Sequence, residues 1–153
     1  MVEKITRTAR DVLARTKLGT IAVAPTDTVL VAMTVMAERN IGAVLVMEGE
    51  RLVGILSERD CVRKLEVQDR NPRGTRTNDI MTKDVLTVPS DRPVDECRKI
   101  MSERKFRHLP VVDDGKVIGV LSIRDVLEEV IAEEERQIRN LETERTAVNA
   151  GLY

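Results

Sequence analysis

Two short stretches of this chain carry polar residues at a spacing that could do chemistry: Ser57-Glu58-Arg59-Asp60 and Ser122-Ile123-Arg124-Asp125. Each follows an apolar run that contains a glycine, Gly54 or Gly119, and each opens a pattern of helical period. A serine at such a boundary can accept from the first helical amides, and an aspartate three residues on complements the positive end of the helix. Capping alone explains that spacing. The same arrangement can also hold a ribose phosphate, with the phosphate on amides and hydroxyl and the ribose hydroxyls on the carboxylate. Both readings stand, and the recurrence of Ser, Arg and Asp together adds weight to the second.

A third group, Arg107 and His108, precedes the apolar run Leu109, Pro110, Val111, Val112. A guanidinium beside the only histidine of the chain offers two donors suited to phosphate oxygens. Pro110 fits the start or the edge of a strand, where its missing N–H costs little. Ser122, His108 and Asp125 are also the one conceivable Ser/His/Asp set, but serine and aspartate stand three apart at a helix start, where capping or ribose already occupies them. No nucleophile elbow, Gly-rich phosphate loop or metal-ligand cluster accompanies them, so neither enzyme activity nor a metal requirement is expected.

The elements that must position these residues repeat. Moving the sequence by 65 positions aligns Val23 with Val88, Val29 with Val94, Met36 with Met101, Val46 with Val111, Gly54 with Gly119, and Ser57, Arg59, Asp60 with Ser122, Arg124, Asp125. Eleven of the 39 pairs from Val23/Val88 to Cys61/Val126 are identical, and the period is too long for a solenoid, so the chain reads as a duplicated βαββα unit. In the first copy the pattern predicts a strand at 21–23 and a helix from about Val29, with Val29, Ala32, Met33 and Met36 on one face and Gly42 as its breaker. A hairpin of strands 43–47 and 52–56 follows, then a helix from Ser57 to about Leu65. Residues 1–66 are taken as the first repeat with an amphipathic lead-in helix over 1 to about 17. Residues 67–79 read as a solvated linker, 80–132 as the second repeat, and 133–153 as a helical extension to about Glu144. Along the helix that runs from Asp125 into that extension, Val126, Leu127, Val130, Ile131, Ile138 and Leu141 can share one stripe. A solvated extension and an intersubunit helical contact both fit it.

Composition narrows the class. With 153 residues the chain holds one compact domain or two very small ones. A net charge of −1 with both signs mixed announces neither DNA nor an anionic membrane, and the small basic patch of Arg70, Arg73 and Arg76 makes nucleic acid an unlikely partner. Phe106 and Tyr153 are the only aromatic residues, so a planar ligand is gripped by aliphatic side chains and backbone. No signal-peptide core and no membrane-length apolar run is seen, and Cys61 and Cys97 read as buried reduced thiols; a cytoplasmic protein with no membrane partner is expected.

Three motifs together resemble a known family. They are Val-x5-Val-x2-Ala/Cys-x3-Met, the strand Arg107-His108-Leu109-Pro110-Val111-Val112, and Gly-Ile-Leu-Ser-x-Arg-Asp with its twin Gly-Val-Leu-Ser-x-Arg-Asp. Over about residues 5–132 the chain resembles a tandem pair of cystathionine β-synthase (CBS) domains, a Bateman module. The resemblance implies an α+β fold of two βαββα units related by pseudo-twofold symmetry, with two clefts for adenosine-type ligands and a disc-like homodimer. AMP comes first among those ligands, with ATP, ADP, NAD(H) and S-adenosylmethionine behind it.

Carried onto this chain, the resemblance makes Asp125 the ribose acceptor, Ser122 a ribose or phosphate contact with Arg124 beside them, and Arg107 and His108 the phosphate ligands. Ile80, Met81 and Thr87 would line the adenine, with specificity from backbone near Ile80 or Leu109 and Pro110. Thr20, Ser57, Arg59 and Asp60 take the equivalent places in the other cleft. The first copy has Gly42-Ala43 where the second has Arg107-His108, so the Asp125 cleft is expected to bind more tightly. A nucleotide-sensing regulator acting in trans on an unknown protein is the leading reading. An interaction scaffold with vestigial clefts is the alternative.

Overall fold

The computed structural model describes residues 6–16 and 19–151. The lead-in helix expected over 1 to about 17 is seen as α1, Ala9–Thr16; residues 1–5 and 17–18 lie outside the described residues. In the first repeat β1 (Ala22–Val23) leads to α2 (Val29–Arg39) and a hairpin of β2 (Ala43–Glu48) and β3 (Arg51–Ser57). The strands order β1-β2-β3, with β1 parallel and β3 antiparallel to β2. The second repeat has α5 (Val94–Arg104), β4 (His108–Asp113) and β5 (Lys116–Ser122), each 65 positions on from its counterpart. A single parallel bridge, Val88 to Val111, stands where β1 pairs with Val46, and both hairpins slip register at the same place, Val46/Met47 and Val111/Val112.

Local chemistry explains the helices. Thr28 caps α2 by accepting from the Val31 amide at 3.3 Å, and Val29, Ala32 and Met36 form its buried face. The helix ends at Arg39, three residues before the glycine expected to break it. Asn40 takes a left-handed conformation at φ 53°, which asparagine tolerates, and Lys105 does the same at φ 57° after α5. The helix expected from Ser57 to Leu65 is α-helical only as α3 (Glu58–Cys61), then becomes a π-helical turn at Val62–Glu66. The C-terminal helix α6 runs over Ile123–Asn149, five residues past the expected end. Its expected single stripe divides: Val126 is buried and Val130 packs on the core, whereas Leu127, Ile131, Ile138 and Leu141 are exposed.

The lead-in helix does not pack on the repeat that follows it. Ala9 and Val12 of α1 lie in the core of the second repeat, with Val94, Cys97, Met101, Leu109, Leu121 and Val126. Ile80, from the short helix α4 (Thr77–Ile80), lies in the core of the first, with Val23, Val29, Met36 and Leu56. Matching hydrogen bonds fix both crossings. Ala9 and Arg10 amides donate to Arg92 and Ser90 carbonyls at 2.9 Å, as Thr77 and Asn78 amides donate to Asp27 and Pro25 at 2.8 and 3.1 Å. The crossings also explain two glycines: a Cβ on Gly119 would lie 2.8 Å from a Leu13 methyl, and one on Gly54 would lie 3.0 Å from the Thr82 carbonyl, beneath Met81.

The stretch 67–79 is therefore more than a solvated tether. Residues 67–71 are exposed, but Thr75 and Thr77 are buried. The Leu30 and Val29 amides donate to the Pro72 and Thr75 carbonyls at 3.1 and 2.9 Å, which pins the segment to α2.

Candidate ligand clefts

Each cleft opens at the N-terminus of a helix that follows the hairpin. Ser57 Oγ accepts from the Asp60 amide at 3.1 Å, while Asp60 Oδ2 accepts from the Ser57 amide and hydroxyl at 3.0 Å. Lys64 Nζ lies 3.3 Å from the other oxygen, Asp60 Oδ1. At the second helix, Ser122 Oγ accepts from the Asp125 amide at 3.1 Å and donates to Asp125 Oδ2 at 2.7 Å. Asp125 Oδ1 takes no hydrogen bond from the described residues. Capping is thus real at both ends, and it leaves one oxygen of Asp125 available where Asp60 has both engaged.

The first helical amide is tied down in both repeats, Glu58 to the Gly42 carbonyl at 3.0 Å and Ile123 to the Arg107 carbonyl at 2.8 Å. These bonds draw the segment before each hairpin up to the helix start. A cavity of about 520 Å³ lies beside Ser122, Arg124 and Asp125, walled on the other side by Gly19, Ile21 and residues 40–43 of the first repeat. A second, of about 480 Å³, lies beside Ser57, Arg59 and Asp60, walled by Thr82, residues 84–86 and residues 105–108 and Pro110. Both volumes suit a small-molecule ligand, whose sites span roughly 300–1,000 Å³.

Gly42, Arg107 and His108 line both cavities. The donor pair that the sequence attached to one cleft therefore stands on the wall between the two. Burial, then the adjacent Arg107, holds the His108 imidazole below its ordinary value, with Asp125 opposing, which favours the neutral ring.

Other expected residues are placed differently. Ile80 is buried in the first core, Leu109 is buried in the second, and Met81 covers Gly54; none of the three lines a cleft. Thr87 and Thr20 are exposed and line neither, although Gly19 and Ile21, beside Thr20, face Asp125 rather than Asp60. Pro110 faces the Asp60 cleft. The physical reason is the crossing of the lead-in helices, which turns each pre-strand segment toward the opposite repeat. Lys105, Phe106 and Arg63 in one cleft and Asn40 and Ile41 in the other were missed. For all of these but Arg63 the signal was the repeat itself, since 40–43 and 105–108 are equivalent positions.

Ser122 and His108 are ladder partners across the hairpin, but the Ser122 hydroxyl bonds to Asp125, so the three do not form a proton relay. Among the described residues no group of three or more His, Cys, Asp or Glu side chains is placed to hold a metal ion. No helix among them is long and apolar enough to cross a membrane.

The CBS-domain family profile matches residues 9–67 and 78–132. The chain belongs to the CBS-domain family. Its two matched regions are the two repeats described above, a tandem CBS pair, and such pairs are in general regulatory modules that bind adenosine ligands. The CBS domain-containing protein CBSX3, mitochondrial, of Arabidopsis thaliana is 37% identical over 120 residues, covering 75% of this chain and 58% of that protein. The chain thus spans just over half the length of that relative. The crystal structure of the CBS domain of NE2398 is 42% identical and superimposes with a TM-score of 0.78 over 83% of this chain and 99% of that one. A CBS-domain protein from Burkholderia ambifaria MC40-6 is 41% identical, with a TM-score of 0.78 over 82% of this chain and 94% of that one.

Proposed function

We propose that this CBS pair is an adenosine-nucleotide-binding regulator that acts as a homodimer on a separate protein, with AMP as its first ligand. The observation that carries this reading is the Asp125 cleft. It sets a carboxylate oxygen with no hydrogen bond from the described residues at a capped helix start, beside Arg107 and His108 on one wall of a cavity of about 520 Å³. The ribose hydroxyls go to Asp125, the phosphate to Arg107 and His108, and the base to the aliphatic wall of Ile21 and Ile118.

The Asp60 cleft takes a second ligand less well, on two grounds. Lys64 and the capping bonds already engage its aspartate, and the phosphate donors it shares serve one anion at a time. A ligand that bridges repeats through the shared wall favours one arrangement of the two halves, and that preference is what a partner reads. The reading requires no metal. A cytoplasmic setting fits the two buried, unpaired thiols, both pushed up to about 11 by burial.

Calorimetric titration with AMP, ATP, ADP, NADH and S-adenosylmethionine tests the reading. Binding of at least one, with a rise in melting temperature that grows with ligand concentration, is expected. No heat and no melting shift with any of them would leave the scaffold reading in its place.

A further inference from the structure

Helix α6 presents an apolar seam that none of the described residues covers. Leu127, Ile131, Ile138, Leu141 and Val148 are between 44% and 65% exposed. With Glu134 and Arg145 they follow one another at alternating steps of four and three residues. That is the heptad seam of a coiled coil, and it differs from the face of α6 that carries Val126, Glu129 and Val130 against the protein body.

The two charged seam positions select an occupant and a direction. In a parallel pair of identical helices, Glu134 meets Glu134 and Arg145 meets Arg145. In an antiparallel pair that sets Ile138 against Leu141, the same register sets Glu134 against Arg145 and Ile131 against Val148. Each apolar residue then meets an apolar one and each charge meets its opposite, over the 17 residue steps from 131 to 148, about 26 Å of helix. Glu135 approaches the partner's Glu142 at the seam edge, and Arg139, one turn from both on its own helix, offsets them.

We infer that α6 pairs antiparallel with α6 of a second copy of this chain, in the register that joins Glu134 to Arg145. The inference rests on the homodimer part of the reading above and supplies its contact. It does not depend on nucleotide binding.

Sedimentation of the full chain tests it. Glu134→Arg opposes two arginines and Arg145→Glu opposes two glutamates, so each raises the dimer dissociation constant by about tenfold or more, and the double exchange restores it. Both positions are exposed, and far-ultraviolet circular dichroism checks that the fold is kept in all three variants.

Oxidative cross-linking supplies the direction. Ile131→Cys chains mixed with Val148→Cys chains cross-link to each other and neither cross-links to itself; the native Cys61 and Cys97 are buried and stay out of the reaction. Unchanged association in all three charge variants, or self-linking of Ile131→Cys, overturns the seam and leaves the homodimer reading standing. A wild-type chain that stays monomeric up to about 100 μM overturns both, with the nucleotide titration unaffected.

Discussion

The imidazole of His108 lies against Gly42: a Cβ on Gly42 would sit 3.4 Å from both His108 Cε1 and Nε2. Gly42 is the first-repeat counterpart of Arg107, and Ala43 that of His108. One repeat thus supplies the polar donors and the other the space they occupy. The two repeats are therefore chemically unequal where they meet, and the same two side chains line both clefts.

That sharing sets the effect of removing them. Arg107→Ala is expected to weaken phosphate-bearing ligands at both clefts by roughly tenfold to a hundredfold, the loss of a charge-assisted hydrogen bond, and to leave adenosine little changed. Paired titrations with AMP and adenosine check it, and an equal loss for both ligands counts against a phosphate role.

His108 adds a pH dependence with two opposite signs. Its folded value lies below the ordinary 6.5, so without ligand the stability it contributes is complete above that value. As pH falls below it, the unfolded chain takes up a proton before the folded one does, and stability declines until the folded value is passed. An anion beside the imidazole favours its protonated form, so nucleotide affinity rises over the same window. Melting and titration at several pH values between 5 and 8, wild type against His108→Gln, are expected to show both trends reduced in the variant.

Asp125 and Asp60 share a sequence motif and differ in what holds them. Asp125→Ala is expected to lower AMP affinity by about 1–3 kcal/mol, and less for the 2′-deoxy analogue, which already lacks one of the partners. Asp60→Ala removes a capping box and the Lys64 contact, and its main effect is a lower melting temperature. Comparing the two variants by melting and titration separates ligand contact from capping.

The repeat was legible because 65 positions bring strands, α2 and α5, and the Ser-x-x-Asp pair into register without a gap. The crossing was not. Ala9, Val12 and Leu13 correspond to Thr77, Ile80 and Met81 at a separation of 68, so a constant shift of 65 passes over them, and adjacency in sequence does not show that α1 packs in the core of the second repeat. From that follows the misplacement of Ile80 and Met81. The helix end at Lys105 was hidden for a different reason, since lysine carries no signal for a left-handed cap; at Asn40 the cap residue was there, but Gly42 was taken as the breaker.

The crossing of α1 is secured by Glu129, a buried carboxylate of α6 that Arg15 and Arg136 each approach at 2.9 Å and Arg7 at 3.7 Å. Glu129→Gln is expected to destabilise the chain by about 1–2 kcal/mol, a modest value because the arginines reach solvent. Denaturant melting checks it, and amide exchange in α1 should rise before that of β2 and β3.

The claim that the two clefts share one donor pair is tested most directly by the stoichiometry of AMP binding to the wild-type chain. One tight site per chain is expected, with a second at least about tenfold weaker. Two equal and independent sites per chain would contradict it.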